Sequence, residues 1–413
     1  MKVLVIGGGG REHALAWRLQ RSPSTTEVIA SPGNPGIARL GRCFPAPKDI
    51  GGYADLAKAQ QVDLTVVGPE APLVAGVVDQ FRHQGLKILG PTAAAARLEG
   101  SKVFAKQFFE RAGIPTARSV QTATLQEALT ALEKFTLPVV VKADGLAAGK
   151  GVVIAENEET ARQAVQQLGP TLVIEEFLQG EEVSFIGLSD GKVIVPLAPT
   201  QDHKRAFDGD TGPNTGGMGA YCDCRILTSK QTGTIMDRIM QPAVRQMAVE
   251  GTPFTGFLYA GLMMTAEGPK VLEFNVRLGD PETQTLMYSF GGDLGEVFLQ
   301  SVTGGLSSLA GASWNTPSAC IVLSSHGYPE APRTGDPITG IEMAEATGAT
   351  VFHAGTTRRE GQLVTSGGRV LGVTAGGDTL QAALNHAYRA ASQIHFDGMH
   401  YRKDIGHRGL RRW

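Results

Sequence analysis

Val139-Val140-Val141-Lys142-Ala143-Asp144-Gly145-Leu146-Ala147-Ala148-Gly149-Lys150-Gly151-Val152-Val153-Ile154 is the stretch on which the reading of the fold turns. Two short runs of β-branched residues flank a glycine-rich loop, the pattern of a strand, a turn and a returning strand. Such a turn can fold over a triphosphate and offer it backbone N–H groups, while Lys142 at the strand end supplies a point charge. It is not a Walker loop, because no Gly-Lys-Ser/Thr precedes a helix. A merely solvated lysine is the plain alternative, and the loop beside it favours phosphate.

Outward from this hairpin the chain reads as an α+β module. Upstream, Ser101 is placed to cap a helix with Val103, Phe104, Phe108 and Phe109 on one side and Lys102 and Lys106 on the other. Thr124 and Glu127 form a capping box before a helix carrying Leu125, Ala128, Leu129 and Leu132. Downstream, a helix from Asn157 to about Leu168 leads into a strand over 172–176. There Val173-Ile174-Glu175-Glu176-Phe177-Leu178 is apolar except for two acids, and Gly180-Glu181-Glu182 follows. A strand turning into a linker can give an adenine one backbone acceptor and one donor, and a later carboxylate can take ribose hydroxyls. Two glutamates at a strand end are by themselves common.

Val271-Leu272-Glu273-Phe274-Asn275-Val276-Arg277 is the metal candidate. A strand alternates faces, so Leu272, Phe274 and Val276 are expected in the core and Glu273, Asn275 and Arg277 opposite. A carboxylate and an amide oxygen two residues apart suit Mg²⁺, which takes one or two protein oxygens plus phosphates and waters. Arg277, followed by Leu278-Gly279-Asp280-Pro281-Glu282, can clamp an anion in bidentate fashion. A polar edge face is the plain alternative.

Residues 1 to about 100 alternate short apolar strands and helices, as in a parallel sheet of βαβ units. The strand Lys2 to Ile6 runs into Gly7-Gly8-Gly9-Gly10 and then a helix, which invites a dinucleotide reading. The third glycine position falls on Glu12 or His13, and the second strand ends Ile29-Ala30-Ser31-Pro32-Gly33 without an acid for a ribose. What survives is an anion site at a helix N-terminus, with a plain tight turn as the alternative. The turns at 31–36 and 68–72 also follow strand ends, where open α/β sheets bind ligands. From about 319 a strand-rich segment closes with a helix near 379–394.

Composition narrows the class. The 413 residues include 53 glycines, against roughly 29 expected at about 7% usage. No Gly-X-Y period is present, and 42% hydrophobic content supports packed cores. A net charge of -2 argues against a nucleic-acid binder, and no apolar run approaches a membrane span. Cys43, Cys222, Cys224 and Cys320 lack zinc-ligand spacing and read as reduced thiols, so a cytoplasmic protein is expected.

Taken in order, these motifs resemble the ATP-grasp superfamily, and within it the glycinamide ribonucleotide synthetase family. The carrying residues are Gly9-Gly10-Arg11-Glu12-His13-Ala14, Gly68-Pro69-Glu70-Ala71-Pro72-Leu73, the loop from Lys142 to Gly151, and Gln201-Asp202-His203-Lys204-Arg205. They continue with Asp210-Thr211-Gly212-Pro213-Asn214-Thr215-Gly216-Gly217-Met218-Gly219, Arg277-Leu278-Gly279-Asp280-Pro281-Glu282, Gly367-Gly368-Arg369-Val370-Leu371 and Arg402-Lys403-Asp404-Ile405-Gly406. The resemblance spans the chain.

It implies an α/β, multidomain ligase: an N-terminal open parallel sheet domain at 1–100, a central ATP-grasp domain pair at 101–310 with an inserted lid at about 122–190, and a strand-rich C-terminal domain at 319–413. It implies ATP as co-substrate with Mg²⁺ or Mn²⁺, and glycine and 5-phosphoribosylamine as substrates, joined through glycyl phosphate. Lys106 and Lys142 would contact phosphates under the loop with Gly145, Gly149 and Gly151; Glu175, Glu176 and Leu178 would hold adenine and Glu182 the ribose. Glu273 and Asn275 would hold the metal. Glycine would bind near Asp210, Pro213, Asn214, Thr215, Gly216 and Arg277, and the amine substrate near Gly9, Gly10, Glu12, Asn34, Gly36 and Glu70. Lys142, Arg277 and Asp210 are the expected catalytic residues, with His203 a candidate base. Tyr259-Ala260-Gly261-Leu262-Met263 offers no further metal carboxylate. A monomer, or at most a weak dimer, without nucleic-acid or membrane partners is expected. Competing readings are an ATP-grasp ligase or carboxylase for another acid, and a nucleotide-sensing module without turnover.

Overall fold

Five parallel strands open the chain in the spatial order Arg42–Cys43, Glu27–Pro32, Lys2–Gly7, Leu64–Val67, Ile88–Leu89. The strand order reverses at Lys2–Gly7, so the turns after Gly7, after Pro32 and after Val67 emerge together at one edge. Val3 to Ile6 are fully buried, as a continuous apolar run in a sheet covered on both faces requires. The computed structural model describes residues 1–146, 151–306 and 312–412.

The hairpin read first in the sequence lies in a four-stranded antiparallel sheet ordered Ser119–Thr122, Leu172–Glu176, Val139–Ala143, Val152–Ala155. Helices Leu125–Leu132 and Glu158–Leu168 cover one face and form a separate small core. Their starts follow the expected caps: Thr124 and Asn157 accept the Glu127 and Thr160 N–H groups, and Glu127 reaches back to Ala123 N. The period of two divides the strands cleanly. Val139, Val141, Leu172 and Ile174 face the helices, while Val140, Lys142, Val173 and Glu175 face a cavity.

The largest sheet is antiparallel throughout: Gly268–Asn275, Thr255–Thr265, Glu181–Asp190, Thr200–Asp202, Gly219–Cys222, Ser318–Ser324, Arg369–Gly376, Thr350–His353, with Ile194–Pro196 beside Glu181–Asp190. The C-terminal segment is therefore not an independent sheet, because Ser318–Ser324 pairs with Gly219–Cys222. Pairing satisfies two edges that would otherwise expose unpaired N–H and C=O groups. Helix Leu380–Ala391 packs on this part of the sheet. Among the described residues no helix is long and apolar enough to cross a membrane.

Candidate active site

Two lysines and one glutamate form the floor of the cavity. Lys142 stands on Val139–Ala143, Lys106 on helix Lys102–Ala112, and Glu175 lies opposite Val140 in the sheet. Lys106 Nζ is 2.5 Å from Glu175 Oε2, and Lys142 contacts the other carboxylate oxygen. Lys106 also donates to Thr116 Oγ1 at 2.7 Å and Lys142 to Leu272 O at 3.1 Å. Burial pulls the Lys106 pKa down, against the opposing pull of Glu175. Glu175 is only 2% exposed and its side chain is committed to the lysines rather than free for a base.

The first residues of the lid loop are tied to the same helix. Asp144 accepts from Ser101 Oγ at 3.0 Å and Val103 N at 3.1 Å, and Lys102 Nζ donates to Gly145 O at 2.8 Å. Gly145 and Gly151 line the cavity; Gly149 lies outside the described residues. Glu176 accepts the Arg118 N–H at 2.9 Å and, like Leu178 and Glu182, lines the cavity. The Leu178 backbone has no backbone partner among the described residues, leaving an N–H and a carbonyl for a ligand. Glu182 is ion-paired with Lys204.

Strand Gly268–Asn275 carries Glu273 and Asn275 to the cavity, Asn275 Nδ2 donating to Glu273 Oε1 at 3.5 Å. Strict alternation fails here. The register with Thr255–Thr265 shifts between Gly261 and Leu262, so Leu272 becomes the extra residue of a bulge and turns to the cavity while Val271 enters the core. Burial pushes the Glu273 pKa up, but Lys204, Lys142, Arg277 and Lys102 outweigh it and hold the carboxyl ionised. An ionised carboxylate beside an amide oxygen, with no third acidic or imidazole ligand among the described residues, fits a hard divalent ion that keeps phosphate oxygens and water.

Arg277 is a three-way joint. Its Nη2 lies 2.8 Å from Glu99 Oε1, its Nε 3.2 Å from Glu70 Oε2, and Nη2 also reaches Asn275 Oδ1 at 3.4 Å. Glu99, from helix Ala93–Gly100, additionally accepts the Val276 N–H at 2.8 Å. Burial raises the Glu99 pKa; for Arg277 burial works downward, and Glu99 and Glu70 reverse it to a net rise. Sequence reading missed Glu99, which sits in an alanine-rich helix without any motif. Nothing local marked it.

The loop between strands Thr200–Asp202 and Gly219–Cys222 forms the far wall. Asn214, Thr215 and Gly216 line the cavity, and Pro213, on strand Thr211–Asn214, is not in the lining. Thr215 Oγ1 donates to Lys204 O at 2.8 Å, Tyr328 Oη receives the Gly216 N–H at 3.0 Å, and Arg369 donates to Gly216 O and Asp280 O. Asp210 has a left-handed φ of 55° and lines the cavity, but its oxygens hold Arg402 at 2.9 Å and Arg408 at 2.7 Å. Burial raises the Asp202 carboxyl to about 8. His203 is 0% exposed and outside the cavity lining; burial and nearby cations lower its pKa to about 3, and its Nε2 accepts the Gly406 N–H at 3.2 Å. A neutral structural imidazole is the consequence.

The N-terminal turns stand beside the cavity. Glu12, 2% exposed, accepts the Gly9 N–H at 2.5 Å and Arg11 Nε at 2.7 Å. Asn34 Nδ2 donates to Gly8 O and His353 O, both at 2.8 Å, and Asn34 Oδ1 accepts the Gly36 N–H at 2.9 Å. A Cβ at Gly8 would meet Gly33 O at 2.3 Å, so these turns touch main chain to main chain. Gly9, Gly10, Glu12, Asn34 and Gly36 are not in the cavity lining, whereas Glu70 and Arg11 are. The cavity holds about 750 Å³ and gathers side chains from all three parts of the chain. Arg11, Lys204 and Arg369, which lie within the quoted motifs but were given no role, line it too, as do Lys102 and Arg408, the last outside every motif.

Comparison with known proteins gives consistent results over the whole length. Family models described as the N, ATP-grasp (A) and C domains of phosphoribosylglycinamide synthetase match residues 1–99, 100–283 and 318–408. The chain is 50% identical over 424 residues to a phosphoribosylamine–glycine ligase of Ralstonia nicotianae, covering 100% of both. It is 50% identical over 426 residues to one of Escherichia coli O6:H1, covering 100% of this chain and 99% of that one. A crystal structure of the Thermotoga maritima phosphoribosylamine–glycine ligase superposes with a TM-score of 0.85 at 35% identity, covering 98% and 100% of the two chains. A biotin carboxylase domain of 2-oxoglutarate carboxylase from Hydrogenobacter thermophilus, solved with MgADP and bicarbonate, shares the fold at a TM-score of 0.71 and 17% identity, covering 97% and 91%.

Proposed function

The chain belongs to the phosphoribosylglycinamide synthetase family, and from that premise we propose how its residues divide the work. The reaction joins glycine to 5-phosphoribosylamine with ATP, giving glycinamide ribonucleotide, ADP and phosphate, an early step of purine biosynthesis. ATP is the co-substrate, with Mg²⁺ or Mn²⁺.

A carboxylate does not acylate an amine at neutral pH, so glycine is first activated. A glycine carboxylate oxygen attacks the γ-phosphorus and ADP leaves. The amine nitrogen of phosphoribosylamine then attacks the carbonyl carbon of glycyl phosphate, phosphate leaves, and the nitrogen gives up a proton. Lys106 and Lys142 stabilise charge on the transferring phosphoryl group, held in place by Glu175 between them. Gly145 and Gly151, without side chains, let the backbone at the two ends of the loop approach the phosphates. Glu176 and Leu178 frame adenine, Glu175 bordering them through its strand, and Glu182 takes the ribose when Lys204 releases it. Glu273 and Asn275 would hold the metal, which when bound neutralises phosphate charge.

Asn214, Thr215 and Gly216, on the turn shaped by Pro213, seat glycine beside Arg277. Asp210 acts as a positioning residue, because its two guanidinium partners fix the loop. Gly9, Gly10 and Gly36 face the phosphoribosylamine, Glu12 and Asn34 hold those turns in register, and Glu70 joins them to Arg277. The reading extends to a monomeric, cytoplasmic enzyme without nucleic-acid or membrane partners.

One observation carries this assignment: the lysine pair, the metal donors, the 214–216 turn and Glu70 line a single cavity. The test is ADP release with glycine and phosphoribosylamine made in situ from ribose 5-phosphate and ammonia. ADP formation that requires glycine is expected. Its absence would overturn the assignment.

A further inference from the structure

Glycine enters as a zwitterion. Its carboxylate must face the phosphoryl group, so its ammonium needs an anionic acceptor elsewhere in the cavity, since a desolvated unpaired ammonium is costly. Nearly every carboxylate in the wall is already engaged. Glu70 and Glu99 share Arg277, Glu175 bridges two lysines, and Glu182 holds Lys204. Asp210 holds Arg402 and Arg408, and Asp280 lies 3.5 Å from Arg369 and accepts from Gln284 at 2.8 Å. Glu282 accepts the Ser184 and Tyr259 hydroxyls at 3.1 and 2.9 Å. Glu176 takes the Arg118 N–H, and Glu273 accepts from Asn275 at 3.5 Å and is assigned to the metal in the reading above.

Asp202 is the exception. Its side chain lines the cavity, is 8% exposed, and has no hydrogen bond or ion pair among the described residues. It ends the strand Thr200–Asp202, opposite Ala220, and two residues later Lys204 O receives the Thr215 N–H at 2.7 Å. The carboxylate thus lies in the same wall as the 214–216 turn. We infer that Asp202 receives the α-ammonium of glycine and is a specificity residue for the amino acid substrate. The inference rests on the ligase reading above. The groups facing Asp202 are Lys204, Glu282, Glu182, Arg408 and Tyr259. Burial without a direct counter-ion is what raises its carboxyl, and an arriving ammonium supplies the missing charge.

The experiment uses the full chain with ATP, Mg²⁺, glycine and phosphoribosylamine, comparing wild type with Asp202→Asn, whose shape is nearly unchanged. Glycolate, which has the carboxylate but no ammonium, serves as a competitive inhibitor against glycine. The expected result is a rise of roughly 10- to 100-fold in the KM for glycine, the loss that removing one charge-assisted hydrogen bond brings. The glycolate Ki and the ATP dissociation constant should stay near wild type, which also shows that the variant folds. An unchanged glycine KM with a fallen kcat would overturn the inference in favour of a proton-transfer role. Equal weakening of glycine and glycolate would overturn it in favour of a general structural role. Wild type forming no glycine-dependent ADP would instead remove the ligase reading itself.

Discussion

Replacing Glu175 by Gln removes the carboxylate that bridges two buried ammonium groups. In the native site the Glu175, Lys106 and Lys142 side chains are 2%, 5% and 10% exposed, so bulk water does little to screen the loss. Leaving buried charges without their partner costs about 3–5 kcal/mol. Lys106 keeps Thr116 Oγ1 at 2.7 Å and Ala117 O at 3.2 Å, and Lys142 keeps Leu272 O at 3.1 Å. Those acceptors place the effect at about 3 kcal/mol, an apparent Tm lower by about 3–4 °C for a chain of 413 residues at about 2.1 cal/mol/K of unfolding entropy per residue. The phosphates of ATP restore negative charge at the same place. The ATP-induced rise in Tm should therefore be larger in Glu175→Gln than in wild type at saturating nucleotide, by the linkage between binding and stability. Thermal scans with and without ATP measure both quantities. A ligand-free Tm within about 1 °C of wild type would refute the structural half of the reasoning. An ATP-induced shift smaller than that of wild type would refute the placement of the phosphates at the lysines.

Arg277→Lys should lower kcat/KM for ADP formation by at least about 100-fold, because an ammonium does not reproduce the fork that spans Glu70, Glu99 and Asn275; near-native turnover would show that the fork is dispensable. Glu273→Gln should lower turnover by several orders of magnitude and raise the Mg²⁺ concentration needed for half activity, since it leaves two amides as the protein's donors; an unaltered Mg²⁺ titration would place the metal elsewhere. The pH dependence has a definite sign. Burial raises Asp202 to about 8, so the ionised form that an ammonium requires is lost as pH falls through that value. In wild type kcat/KM for glycine should drop about tenfold per pH unit below it, while Asp202→Asn shows no such limb. A flat wild-type profile between pH 6 and 8 would be inconsistent with that assignment.

That the proposed phosphate and metal residues share a face with the cavity was legible locally, because the period of two puts them on one side by covalent geometry alone. Val139, Val141 and Ile174 had to go one way and Lys142 and Glu175 the other. The same rule failed at Leu272, where a bulge that depends on the neighbouring strand resets the alternation. The excess of glycine was likewise readable, and Gly8 shows one reason for it: a side chain there would strike Gly33 O.

Other parts of the site had no local signal. Glu175 read as a neighbour of adenine, yet only the packing of helix Lys102–Ala112 against its sheet makes it the counter-ion of two lysines. Asp210 was expected as a catalytic residue near glycine, and only residues some 190 positions later in the chain bring Arg402 and Arg408 to its carboxylate. Glu99 acquired its role only by facing Arg277 across the fold. The continuous sheet from Gly219–Cys222 into Ser318–Ser324 was equally hidden, since strand pairing is set by which edges meet. By itself the sequence carried the motifs whose resemblance implies the family and its reaction, and it determined the faces of the strands wherever no bulge intervenes, because alternation depends on covalent geometry alone. Tertiary structure alone decided which charges are paired and which remain, leaving Asp202 in the cavity wall without a hydrogen-bond or ion-pair partner among the described residues, because the partner of a buried charge is chosen by contacts between distant segments.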